Sequence, residues 1–218
     1  MRFLSHLDLV RLFKRAIRKA GVQVGFSNGF NPHELINIVQ PLSLGYEGSG
    51  EYFEIDTLEE YQPELLMEGL NSALPEGIRF ILCKEIPVTK INMSGKCEYA
   101  VYRAYLPPSE KFTRDKVMEF LLADKVLITK KDKKTKQLVE KDVKKYIINF
   151  CFPDDTKDGI IIDMLLRCAS NETLNPGKLL ESIIKYTGSD IKPEDIMIRR
   201  DALIGRNSEG VLNTLYEI

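Results

Sequence analysis

Apolar and polar positions follow two rhythms along this chain. Between residues 5 and 20, Leu9, Val10, Phe13, Ala16, Ile17 and Ala20 recur near the 3.6-residue helical period, while Arg11, Lys14, Arg15, Arg18 and Lys19 take the other positions. The pattern predicts an amphipathic helix. Ser5 with Asp8 three positions later marks its start as a capping box, and Gly21 supplies a left-handed stop. A short strand is expected at 22–26, then a turn-rich loop, an apolar run at 35–39 and a glycine-bracketed turn. A strand at 52–55 follows, with Phe53 and Ile55 inward, then a helix near 61–74 and a strand at 78–86. The second half repeats the rhythm: strand 99–106, helix 110–123, a long hairpin 126–152, strand 160–168, helix 176–186, strand 196–203.

Both halves therefore read β-α-β-β-α-β, with the first strand of the N-terminal half poorly defined. That order predicts an α+β fold of two tandem ferredoxin-like halves, each an antiparallel sheet with helices on one face. The expected domains are 1–90 and 96–218, joined by a linker at 87–97 that holds Pro87 and Gly95.

Composition narrows the class. The chain has 218 residues, 44% hydrophobic and 29% charged, and no apolar run approaches the ~18 residues of a membrane span. No basic-then-apolar leader pattern opens it, so a cytoplasmic location is expected. Cys83, Cys97, Cys151 and Cys168 fit no metal-knuckle or Cys-x-x-Cys spacing and read as reduced core thiols. The net charge of −1 hides segregation. Basic against acidic residues number 6 against 2 in 1–40, 4 against 11 in 41–100, 13 against 7 in 101–150, and 8 against 12 in 151–218. Near-neutrality thus leaves an anionic partner open.

Several residue sets bear on chemistry. Asn28, Gly29, Phe30, Asn31 and His33 fall in a loop whose Gly29 permits positive φ and whose Pro32 stiffens the exit, so the loop is either a fixed binding feature or a rigid connector. Arg11, Arg15 and Arg18 recur at i, i+4, i+7, a stripe that could track phosphates or simply face solvent. Lys130, Lys131, Lys133, Lys134 and Lys136 crowd one hairpin tip, which reads as a solubilising edge or an anion contact. His6 and His33, the two histidines, are the weak catalytic candidates, as acid and base in metal-independent RNA cleavage. No nucleophile triad, P-loop, dinucleotide fingerprint or metal spacing accompanies them, so the sequence argues against an autonomous enzyme and implies no cofactor or metal.

Three segments carry a resemblance: Arg2-Phe3-Leu4-Ser5-His6-Leu7-Asp8-Leu9, Phe26-Ser27-Asn28-Gly29-Phe30-Asn31-Pro32-His33, and Pro41-Leu42-Ser43-Leu44-Gly45 with Glu51-Tyr52 behind it. Together they resemble the radical SAM-associated (radical SAM-linked) family, a domain of unknown function whose members look like partners of, or fusions to, a radical SAM enzyme. The resemblance implies an accessory domain that binds such an enzyme and presents its substrate, RNA being one expectation. It also implies a strand ahead of Arg2, without which the first sheet would have a gap, a rearrangement, or an edge filled by another chain, a homodimer included. Glu34-Leu35 departs from the family's proline-then-basic pattern. The Cys-x3-Cys-x2-Cys run that holds a radical SAM cluster is absent, so that chemistry would belong to the partner. The alternatives are an RNA-binding or RNA-processing protein with the architecture of CRISPR repeat endoribonucleases, and a structural scaffold.

Overall fold

The computed structural model describes residues 2–86, 92–132, 135–153, 155–156 and 159–218. In chain order its elements are α1 (His6–Lys19), β1 (Ile36–Val39), β2 (Glu47–Gly48), β3 (Tyr52–Ile55), α2 (Pro63–Ala73), α3 (Met93–Lys96), β4 (Cys97–Leu106) and α4 (Arg114–Leu122). There follow β5 (Leu127–Lys131), β6 (Leu138–Asp142), β7 (Ile147–Cys151), β8 (Asp155–Thr156), β9 (Gly159–Arg167), α5 (Pro176–Thr187), β10 (Met197–Arg206) and β11 (Leu212–Thr214). The class is α+β, with antiparallel and mixed sheets. The chain divides into two compact units: Met1–Gly45 with Tyr52–Ser94, and Tyr46–Glu51 with Gly95–Ile218.

In the N-terminal unit α1 forms as its pattern requires. Ser5 Oγ accepts from the Asp8 amide at 3.2 Å and donates to Asp8 Oδ2 at 2.7 Å. At the other end the amides of Gly21 and Val22 bond back to Arg18 O and Ile17 O, a Schellman closure that the φ of +71° at Gly21 makes possible. Phe13, Ala16 and Ile17 turn inward. The core gathers Ile17, Val22, Val24 and Leu70, with Phe53 and Phe80 packed against it. Phe13 lies 4.6 Å from Phe53 and 5.5 Å from Phe80 between ring centroids.

The sheet of this unit is smaller than four strands. β1 and β3 form a two-stranded antiparallel ladder in the register Ile36↔Ile55. The expected strand at 22–26 reduces to isolated bridges, Val24 with Thr57 and Phe26 with Glu34. The expected strand at 78–86 does not form. Its Phe80 instead exchanges both main-chain hydrogen bonds with the Asn71 side chain, each at 2.8 Å, so one amide stands where a neighbouring strand would. Apolar character alone does not make a strand; a ladder partner must be in reach.

The C-terminal unit carries the larger sheet, ordered β11-β10-β4-β9-β7, with β2 beside β10 and β8 beside β9. The pairs among β10, β4, β9 and β7 are antiparallel, and β2 joins β10 in parallel. Ala100, Tyr102, Ala104 and Leu106 of β4 point inward, as do Ile162, Met164 and Leu166 of β9. α5 covers them with Leu179, Leu180, Ile183 and Ile184, and runs from the Asn175 cap and Pro176 to Gly188 at φ +67°. Across β4 and β9, Arg103 grips Asp163 through two bonds of 2.7 Å. The expected single hairpin over 126–152 is a β5–β6 hairpin followed by β7, which leaves it to pair with β9.

Two bulges shape β4 and β10. The register steps from Ile204↔Tyr99 to Gly205↔Cys97, which leaves Glu98 as the extra residue and turns Cys97 to the inner face. A second step between Arg200 and Ala202 leaves Asp201 extra, with Arg200 buried on one side of it and Leu203 on the other. Gly50 lies against this bulge. A Cβ there would meet Asp201 O at 2.2 Å, so only glycine allows the approach.

All four cysteines are free, but only Cys97 and Cys168 belong to the core. Cys83 is half-buried and Cys151 is exposed, against the expectation of four core thiols. Of the expected linker at 87–97, residues 87–91 lie outside the described residues, and Met93–Lys96 is a helical turn. Among the described residues no helix is long and apolar enough to cross a membrane.

Candidate functional site: a partly neutralised cationic groove and a fixed aromatic loop

An open groove of about 740 Å³ runs along α1. Leu4, Leu12 and Pro75 supply its apolar lining, and Arg11, Lys14, Arg15, Arg18 and Asp8 its charge. The three arginines read from their spacing thus share one concave surface, because i, i+4 and i+7 fall on one helix face. Lys14 joins them, a residue the sequence reading did not select.

Two carboxylates answer these cations. Asp8 holds Arg11 at 3.0 Å, and Glu34 takes Arg18 on Oε1 at 2.8 Å and Lys14 on Oε2 at 2.7 Å. Lys14 and Arg18 hold the Glu34 carboxyl below its usual range, against a smaller opposing effect of burial. Asp8 is lowered likewise, first by the Ser5 hydroxyl and then by Arg11. Arg15 makes no ion pair with a described residue. The stripe that looked like a phosphate track is therefore mostly neutralised within its own unit. The signal for Glu34 was in the sequence: Asp8 and Glu34 are the only acids in the first 40 residues.

Glu34 also ties the loop at 26–33 to α1. The loop is closed at its base: the Ser27 amide donates to His33 O at 2.9 Å, and the His33 amide donates to Ser27 Oγ at 3.1 Å. Ser27 Oγ and His33 Nδ1 lie 2.8 Å apart. Gly29, at φ +128°, makes the reversal. Asn28 and Asn31 are exposed, and neither bonds to a described residue. The result is a clasped loop with Phe30 fully exposed at its tip and Phe26 more than half exposed beside it. His6 stands exposed in the first turn of α1, and no hydrogen bond joins it to His33.

The lysine-rich tip belongs to the other unit. Lys130 and Lys131 are exposed on β5, while Lys133 and Lys134 lie outside the described residues. Among the described residues no three His, Cys, Asp or Glu side chains gather as a metal site.

These observations define an α+β protein with a concave, partly compensated cationic surface and a preformed aromatic loop. The chain belongs to the DUF2344 family, described as uncharacterised proteins conserved in bacteria, whose pattern it matches over residues 1–176. No curated protein matches it.

Proposed function

We propose that the chain is a non-catalytic accessory domain that binds a protein partner through its N-terminal unit, and that the partner is a radical SAM enzyme. The observation that carries the reading is Phe30, held in solvent by a loop whose base is clasped through Ser27 and His33. The clasp orders the loop backbone before docking, so binding has only the two side-chain torsions of Phe30 left to fix, which is the character of an interface anchor. The choice of partner rests on the resemblance of the Ser5–Asp8 and 26–33 segments to the radical SAM-linked pattern. In the same reading the C-terminal unit is a ferredoxin-like half, supported by its antiparallel order β10-β4-β9-β7 around α4 and α5.

An RNA-presenting role is the second reading, and Arg15 favours it as the groove cation with no ion pair to a described residue. Asp8 and Glu34 weigh against it, since they hold the other three cations.

The test is co-purification of the full chain with the radical SAM enzyme of the same organism, followed by titration. Association at micromolar concentration is expected, and Phe30→Ala should weaken it at least ~10-fold with an unchanged circular dichroism spectrum. Failure to associate at micromolar concentration overturns the reading. RNA binding that falls steeply with salt and ignores Phe30→Ala would install the second one, and a concentration-dependent doubling of mass would identify a second copy as the occupant.

A further inference from the structure

The groove along α1 has a chemistry that the Phe30 contact does not use. Leu7, Arg11, Arg15 and Arg18 fall at i, i+4, i+8 and i+11, one stripe that begins apolar and continues cationic. Leu4, Leu12 and Pro75 give the groove an apolar lining beside those cations. The segment ahead of the helix that carries Leu4 is anchored, because the Gly45 amide donates to Arg2 O at 2.8 Å.

The two carboxylates orient the arginines without saturating them. Arg11 gives Asp8 one bond, from Nη1, and Arg18 gives Glu34 one, from Nη2. A guanidinium carries five N–H donors, and these two side chains remain 72% and 69% exposed, so each keeps a side toward solvent for a second acceptor. Lys14 differs: it is 28% exposed and held by Glu34 at 2.7 Å, a tie within the unit. Arg15, on the stripe between Arg11 and Arg18, is exposed and makes no ion pair with a described residue. Three guanidinium groups are thus presented over about 10 Å of helix, at a rise of about 1.5 Å per residue.

The charge balance selects the ligand. Four cations, Arg11, Lys14, Arg15 and Arg18, stand against the two carboxylates of Asp8 and Glu34, a surplus of two. That suits a few side-chain carboxylates, whereas a nucleic-acid backbone draws its affinity from the number of phosphates neutralised. A base would also need a ring to stack on, and none of the described residues lining the groove is aromatic. A carboxylate fits the guanidinium fork, and an apolar side chain beside it would cover Leu4 and Leu12.

We propose that the groove receives an acidic amphipathic helix of the protein partner, its carboxylates about one turn apart against Arg11, Arg15 and Arg18 and its apolar side chains on Leu4 and Leu12. The inference rests on the protein-partner reading above and names what that partner brings to the N-terminal unit.

The probe is a fluorescent alanine-based peptide of about 15 residues, with leucines along one edge and three glutamates one turn apart, titrated against the full chain by anisotropy. Micromolar binding is expected. Replacing the glutamates by glutamine should weaken it at least ~10-fold, and Arg15→Glu should do the same. A peptide with lysine as its central charge should regain affinity for Arg15→Glu. Lys131→Glu on β5 and Phe30→Ala should leave the affinity unchanged. Because the titration contains no radical SAM enzyme, a peptide that fails to bind overturns the groove proposal alone, and an enzyme that fails to associate overturns the partner reading alone. Equal affinity for the glutamate and glutamine peptides, or displacement of the peptide by single-stranded RNA of equal charge, overturns the proposal. So does self-association that the peptide reverses, which would place a second copy in the groove.

Discussion

The C-terminal unit encloses a continuous core between a long antiparallel ladder and α5 and exposes apolar side chains such as Leu122 on α4 and Leu138 on β6, whereas the N-terminal unit has a smaller core and exposes Phe3, Leu7, Phe26, Phe30, Leu58 and Ile81. The contrast follows from strand partners. Four antiparallel strands present one continuous inner face, on which Ile162, Met164, Leu166 and Leu203 are fully buried against Leu179, Leu180 and Ile183. Two strands cannot do so, and the smaller unit supports its core with a ring cluster of Phe13, Phe53 and Phe80 and with the Asn71 amide. A unit built in that way keeps apolar surface available for recognition, while its neighbour encloses the inner face of its ladder beneath α5.

The comparison is broken most severely in the cores. Leu179→Ala removes a side chain with no solvent exposure and should cost about 3–5 kcal/mol, against about 2–3 kcal/mol for Leu70→Ala in the smaller core. Urea unfolding followed by hydrogen exchange should assign each loss to its own unit. Equal losses, or loss of protection throughout the chain in both variants, would show that the units do not differ as described.

Glu34→Gln is next in size. It should destabilise the N-terminal unit by about 1–2 kcal/mol, because Arg18 is largely exposed and only Lys14 is substantially covered. It should also leave the groove more cationic and make anion binding rise more steeply at low salt. Acid probes the same carboxylate in the wild type. Its folded-state pKa lies below the ordinary 4.5, so its contribution is complete above that value and lost as pH falls through the lowered one. Exchange protection near α1 should therefore fade at more acid pH than 4.5, and Glu34→Gln should abolish that step.

The smallest effect is the most closely matched. Gly21 and Gly188 end α1 and α5 with φ of +71° and +67°, and a Cβ at either meets nothing within 4 Å. Alanine at each should cost about 1 kcal/mol from backbone strain alone, readable as equal shifts in two different sets of exchanging amides. Unequal shifts would mean that the helix ends are supported differently.

Local chemistry was what the sequence displayed well. The cap at Ser5, the stop at Gly21, the face of α1 and the arginine stripe all follow from spacing within one or two helical turns, and the structure has them. Partners distant along the chain were not visible. The segment at 78–86 has a strand's composition but no ladder, and 126–152 gives up its last strand, β7, to pair with β9. The groove was half visible: its cations were periodic, whereas the Glu34 carboxylate that neutralises two of them arrives from a loop 16 residues past Arg18. Cys97 and Cys168 lack any motif spacing, and the bulge that turns Cys97 to the inner face leaves no mark that periodicity could detect.

The strap Tyr46–Glu51 has a consequence for how the molecule is made. It lies between two N-terminal segments in the chain, yet Glu47 and Gly48 pair with Arg199 and Arg200, Tyr46 donates to the Asn175 cap at 2.9 Å, and Glu51 holds Arg200 from 149 residues away. On the ribosome this strap emerges long before its strand partner β10 has been translated. A gene fragment opening at Gly95 would encode β10 with a guanidinium destined for the interior and no carboxylate to meet it, at a cost of about 3–5 kcal/mol. Expressing residues 46–51 as a separate peptide, or grafting them onto that fragment, would be the way to obtain the second unit alone.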